Sequence, residues 1–199
     1  MTVKGVQGHT ASSHRAENPA HHLITMLQKI ISTPLDSGNE YFLPSSIQIP
    51  TFDIGNPAVN VIPETAGATI NIRFNNLHSS ESLIKWMQKH IEKIFRPLEN
   101  ASCTFSSEKT GESFLTKPGE LTQLMTKSIS EVTGQNRKPE LATDGGTSDA
   151  RFIKNYCEVA EPGIRNQPLH KTDEFVYLSD IEELKNIYLR IIENYFEKN

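Results

Sequence analysis

Thr69-Ile70-Asn71-Ile72-Arg73-Phe74-Asn75 decides the fold. Ile70, Ile72 and Phe74 fall on one side of an extended chain; Thr69, Asn71, Arg73 and Asn75 fall on the other. Strict alternation predicts a half-buried strand with a polar face, and Arg73 stands on that face. Helices are predicted on both sides of it. Upstream, Asn18 can cap and Pro19 suits the first helical position, with Leu23, Ile24, Leu27, Ile30 and Ile31 on one face until Thr33-Pro34. Downstream, Ser79-Ser80-Glu81 opens a helix carrying Leu83, Ile84, Met87, Ile91, Ile94 and Phe95, which ends at Arg96-Pro97. Further short strands are expected at residues 2–8, at 45–53, with Ile47, Ile49 and Thr51 on one side, and at 102–106. The order β-α-β-β-α-β predicts a ferredoxin-like domain over residues 1–108, an antiparallel sheet with two helices on one face.

Beyond a polar stretch, Glu108 to Pro118, the pattern changes. Residues 109–199 read as an α/β portion: helix 120–133, strand 138–142, helix 148–155, strand 157–161 and a final helix. Ser179-Asp180-Ile181-Glu182 has the form of a capping box, and Ile181, Leu184, Ile187, Tyr188, Ile191, Ile192, Tyr195 and Phe196 form one stripe. Two or three strands are few for a stable sheet, so this portion reads as incomplete. The fold class is α+β.

Composition narrows the function classes. The 199 residues carry 20 Lys+Arg against 24 Asp+Glu, a net charge of −4, and show no basic stripe, which argues against a nucleic-acid or anionic-membrane surface. The Arg73 strand also lacks the aromatic residues on which unstacked bases would lie. No apolar run approaches the ~20 residues of a membrane span, and no signal peptide is legible in the opening residues. Cys103 and Cys157 are too few and too distant for a disulfide framework, so a cytoplasmic protein with two inert thiols is expected.

Three clusters carry possible chemistry. Gly8-His9-Thr10 is followed by His14, His21 and His22, the last three of which read as surface or capping positions rather than a metal site. Gly145-Gly146-Thr147-Ser148-Asp149 reads equally as an anion-binding loop at a helix start or as an ordinary capped helix. His170, in Leu169-His170-Lys171-Thr172-Asp173-Glu174, is a possible metal ligand or general base, but one His does not make a zinc site.

Taken together, several stretches resemble a known family. They are Val6-Gln7-Gly8-His9 with His14 and Asn18-Pro19; Gly55-Asn56-Pro57 with Val59-Asn60-Val61-Ile62-Pro63; Asn71-Ile72-Arg73-Phe74-Asn75; Gly145 to Phe152; and His170 to Glu174. In order and spacing they resemble the C-terminal half of the M20 family of two-zinc amidohydrolases, nearest to its desuccinylase branch. The resemblance implies hydrolysis of N-succinyl-LL-2,6-diaminoheptanedioate to succinate and LL-diaminopimelate, in lysine and peptidoglycan precursor synthesis. It implies two zinc ions per site in the intact enzyme, with His170 as the one ligand this chain supplies. His9 would cross a homodimer formed by residues 1–108 and stabilise the oxyanion. Asn60, Arg73, Gly146, Thr147 and Asn166 would contact substrate. Ser12-Ser13 replace the family's aromatic-Pro pair before His14, which has no assigned role. The family's remaining zinc ligands and its general base precede the lid domain and have no counterpart in this sequence. The chain alone is therefore expected to bind little or no zinc and to be inactive. The competing readings are a non-catalytic dimerisation or binding module, and a related deacylase such as acetylornithine deacetylase.

Overall fold

Val3 is fully buried and flanked by exposed Thr2 and Lys4, and it sits at the centre of the sheet that organises the first half of the chain. The computed structural model describes residues 1–134, 139–143, 148–164 and 168–197. They fall into two compact units, Met1–Ser113 and Phe114–Asn199.

In the first unit, β1 (Thr2–Lys4), β3 (Ser46–Asp53), β5 (Thr65–Arg73) and β6 (Ser102–Thr104) form one sheet in the order β3-β5-β1-β6. Every neighbouring pair is antiparallel. With α1 (Pro19–Ile31) after β1 and α2 (Ser80–Phe95) after β5, this is the ferredoxin-like arrangement. A two-stranded ribbon, β2 (Gly8–His9) with β4 (Val61–Ile62), is added at one end.

The expected strand 2–8 is thus broken in two, and Gly5 shows why. A Cβ there would lie 2.1 Å from the Glu17 carbonyl oxygen. That close approach lets Val6 and Glu17 exchange backbone hydrogen bonds of 2.9 and 3.0 Å, which turns the chain out of the sheet.

Helix ends follow local chemistry. The Asn18 carboxamide oxygen accepts from the Ala20 N–H at 3.0 Å, and Ser79 and Ser82 cap α2 reciprocally. Leu23, Leu27 and Ile30 enter the core as expected. Ile24 and Ile31, however, are 54% and 51% exposed, and Met26 is buried instead. The core joins these residues to Ala66 and Ala68 of β5 and to Met87 and Phe95 of α2.

Edge strand β3 departs from simple alternation. Its pairing with β5 slips by one residue between Gln48 and Thr51, where Ile49-Pro50 form a bulge. Thr51 consequently pairs with exposed Thr69 and leaves the side occupied by Ile47 and Ile49. Asn75 departs in the opposite sense: expected on the polar face, it is only 3% exposed.

The second unit contains α3 (Glu120–Thr133), a short α4 (Ala150–Ile153) and α5 (Leu178–Glu197). Among the described residues, 139–143 and 157–161 are not strands. The Thr116 hydroxyl donates to the Val159 carbonyl and accepts from the Val159 N–H, so it takes both backbone groups that a strand partner would use. The expected helix 148–155 shrinks to α4. Tyr177 rather than Ser179 starts α5, its carbonyl accepting from the N–H groups of Asp180 and Ile181. Ile187 and Asn194 of α5 are buried, while Ile181, Tyr188, Ile192 and Tyr195 remain exposed, so the expected single stripe is two faces. Among the described residues, no helix is long and apolar enough to cross a membrane.

Candidate functional site

The β2–β4 ribbon brings two of the expected site residues together. His9 pairs with Val61, and the Thr10 N–H and hydroxyl both donate to the Asn60 carbonyl, at 3.0 and 3.3 Å. Asn56 braces the loop before them: its side-chain amide donates to the Val61 carbonyl at 2.8 Å and its oxygen accepts from the Ala58 N–H. Gly8 allows the turn to close, since a Cβ there would meet the Ala16 methyl at 2.6 Å.

The His9 ring has a defined orientation. Its Nδ1 accepts from the Ala11 N–H at 3.1 Å, capping the short 3-10 turn Thr10–Arg15. A backbone N–H can only donate, so the proton of the neutral ring resides on Nε2. His9 and Asn60 are both exposed. The ribbon and the turn leading into it therefore present an N–H donor from His9 of β2 and a carboxamide from Asn60 just before β4, a combination suited to a carbonyl oxygen gaining negative charge.

Arg73 stands elsewhere. It is the last residue of β5 and pairs with Ser46, whereas the ribbon lies at the Thr65 end. At ~3.3 Å per residue, the length of β5 separates Arg73 from that end by about 26 Å. Within one chain, Arg73 does not reach the ligand space of His9 and Asn60. It lies exposed on the sheet face opposite the helices, with Asn71 two residues along.

A polar network that sequence reasoning missed adjoins Arg73. Asp36 Oδ1 accepts from the Gly38 N–H at 2.7 Å, the Ser45 N–H at 3.2 Å and the Asn75 amide at 2.7 Å. The Asn75 amide also donates to the Leu43 carbonyl at 3.1 Å, and the Asn75 N–H donates to the Ser45 hydroxyl at 3.1 Å. His78 Nε2 lies 3.2 Å from Asp36 Oδ2 but makes no hydrogen bond. Burial of Asp36 works to raise its pKa; the hydrogen bonds from Ser45, Gly38 and Asn75 outweigh this and hold the carboxyl at about 2. The one sequence signal was Asp36-Ser37-Gly38, an Asx-turn pattern.

In the second unit, His170 is exposed and has a φ of 58°, in a turn closed by the Lys171 N–H on the Pro168 carbonyl at 3.0 Å. Gly146, Thr147 and Asn166 lie outside the described residues. Among the described residues, no three His, Cys, Asp or Glu side chains are grouped to hold a metal ion. The donor set seen here therefore does not fit a complete two-zinc centre. His22 is used structurally: it contacts Glu17 and packs edge-on against Phe95, 6.0 Å between centroids.

Comparison with known proteins places this architecture. The family described as peptidase dimerisation domain, of M20 type, matches residues 1–99. A succinyl-diaminopimelate desuccinylase of Cereibacter sphaeroides is 45% identical over 196 residues, covering 98% of this chain and 51% of that protein. The di-peptidase Dug1p of Saccharomyces cerevisiae shares the fold at a TM-score of 0.75 and 16% identity, over 98% of this chain and 53% of that one. An M20 family metallo-carboxypeptidase of Sulfolobus solfataricus does so at 0.66 and 13%, over 98% and 60%. Residues 1–99 thus match the M20 peptidase dimerisation-domain family, and the chain is similar to the succinyl-diaminopimelate desuccinylases, of which it spans about half the length.

Proposed function

We propose that this chain forms the lid and part of the catalytic domain of a zinc-dependent amidohydrolase cleaving N-succinyl-LL-2,6-diaminoheptanedioate to succinate and LL-diaminopimelate. Residues 1–108 act as the lid and dimerisation domain, and residues 109–199 as the C-terminal portion of the catalytic domain, in the cytoplasm. The observation that carries the reading is the 45% identity to desuccinylases along 98% of the chain. The His9 geometry supports it.

In this reading the His9 Nε2–H donates to the amide oxygen as negative charge develops there, and the Nδ1 contact with Ala11 keeps that proton in place. Asn60 and Arg73 take substrate carboxylates, Arg73 through its planar guanidinium, with Gly146, Thr147 and Asn166 as further contacts. His170 serves as one zinc ligand. The separation along β5 favours a site built from two copies, with His9 and Asn60 of one chain facing Arg73 of the other. One donor does not make a two-zinc centre, so the 199-residue polypeptide alone is inactive.

The test supplies the chain, with zinc, alongside the N-terminal segment of the Cereibacter sphaeroides enzyme. Release of succinate is expected from the mixture and from neither part alone, with the succinylated substrate preferred over N-acetylornithine. Turnover by the isolated chain would sink the inactivity claim, and preference for N-acetylornithine would sink the substrate. Sedimentation at about 20 μM, where a modest interface holds, should show a dimer; a monomer removes the shared site.

A further inference from the structure

A carboxylate and a carboxamide are buried together at the end of the sheet that carries Arg73. The Asp36 side chain is 7% exposed and Asn75 is 3% exposed. Both connect to the residues flanking the last rung of the β3–β5 ladder, Ser46 opposite Arg73. On the β3 side, the Ser45 N–H donates to Asp36; on the β5 side, the Asn75 amide donates to the same Oδ1. The Asn75 N–H closes the ring on the Ser45 hydroxyl. The Asn75 oxygen accepts from the Leu77 N–H at 2.9 Å and fixes the turn that leaves the strand.

We propose that Asp36 and Asn75 form a positioning clamp for Arg73, holding the frayable end of β5 so that its guanidinium meets a substrate carboxylate in one orientation. This rests on the reading of Arg73 as a carboxylate contact. The last rung of a ladder opens more readily than the rungs inside it. A bidentate guanidinium–carboxylate pair needs a fixed plane as well as a charge. A buried carboxylate costs desolvation energy that only several donors offset, and here three donors converge on Asp36 from both sides of that rung. Neither clamp residue touches ligand. They act through the backbone of Ser45-Ser46 and of Arg73 to Asn75.

The experiment uses the 199-residue chain labelled with ¹⁵N, titrated with succinate and separately with LL-diaminopimelate. The Arg73 Nε–Hε resonance, assigned by its loss in Arg73→Lys, is followed together with unfolding temperature. Asn75→Ala is expected to weaken succinate binding about tenfold and to move the unliganded Arg73 resonance, the loss of one well-oriented charge-assisted contact. Ser45→Ala removes the hydroxyl that joins the ring and should weaken binding by about threefold. A core variant, Leu83→Ala, supplies a comparable loss of stability and should leave both readings as in the wild type. The clamp is overturned if Asn75→Ala folds and binds as the wild type does, or if Leu83→Ala weakens binding equally. Should Asn75→Ala fail to fold, Ser45→Ala decides by the same criteria. If neither probe moves the Arg73 resonance in the wild type, the carboxylate reading itself fails and the clamp falls with it. A shift in the wild type that the clamp variants leave intact overturns the clamp alone.

Discussion

Asp36 sets burial against hydrogen bonding, and hydrogen bonding wins. Its carboxyl stands at about 2 rather than 3.8. A group with a depressed folded-state pKa contributes stability that is present above the unfolded value and lost as pH falls through the folded one. The difference corresponds to about 2 kcal/mol, so the first unit should lose that much between about pH 4 and pH 2. Urea unfolding across that range measures it, and Asp36→Asn should flatten this part of the profile. At Cys103 burial outweighs the opposing pull of the N-terminal ammonium and pushes the thiol up to about 11, whereas Cys157 is exposed. At pH 8, iodoacetamide should therefore alkylate Cys157 readily and Cys103 only on unfolding; peptide mass analysis distinguishes them. His9 stood out in the sequence beside Gly8 and Arg73 on the polar side of its strand, and Asn60 only through the family resemblance. The network around the clamp was not legible, because it joins Asp36 and Asn75 to Leu43 and Ser45, and the Asx-turn pattern at Asp36 does not announce that they converge.

α1 and α2 were legible because their signals are local: Asn18-Pro19 and Ser79 begin helices wherever they stand. The bulge at Ile49-Pro50 was hidden because an extra residue is defined only by its partner strand. Pro50 was its trace in the sequence, since proline in a sheet is confined to edges and bulges. The α3–α5 contact was hidden for a related reason. Asn194 lies inside an apolar run of α5, yet its amide is buried and donates to the Ser128 hydroxyl at 3.0 Å and to Glu131 at 2.9 Å. The Ser128 hydroxyl itself donates to the Leu124 carbonyl at 2.8 Å. Asn194→Ala leaves a hydroxyl and a carboxylate with fewer partners and opens a void. It should cost about 2–3 kcal/mol in the second unit, read as a lower urea midpoint with the first unit unchanged.

The two units differ in how completely they bury their apolar residues. In the first, Val3, Leu23, Met26 and Ile30 are fully enclosed between sheet and helices. In the second, α5 buries Ile187 but leaves Ile181 at 44%, Ile192 at 55% and Phe196 at 69% exposure. Each such side chain, left in water, forgoes roughly 1.5–3 kcal/mol of burial. If the 199-residue chain in solution keeps this face open, it should bind an apolar dye, and the face should contribute almost nothing to stability. The double variant Ile181→Lys and Ile192→Lys should then lose most dye fluorescence while its unfolding temperature moves by less than about 2 °C. A fall of about 10 °C or more would mean that the stripe is covered in solution, by another copy or by another part of the molecule, because charges are that costly only at buried positions.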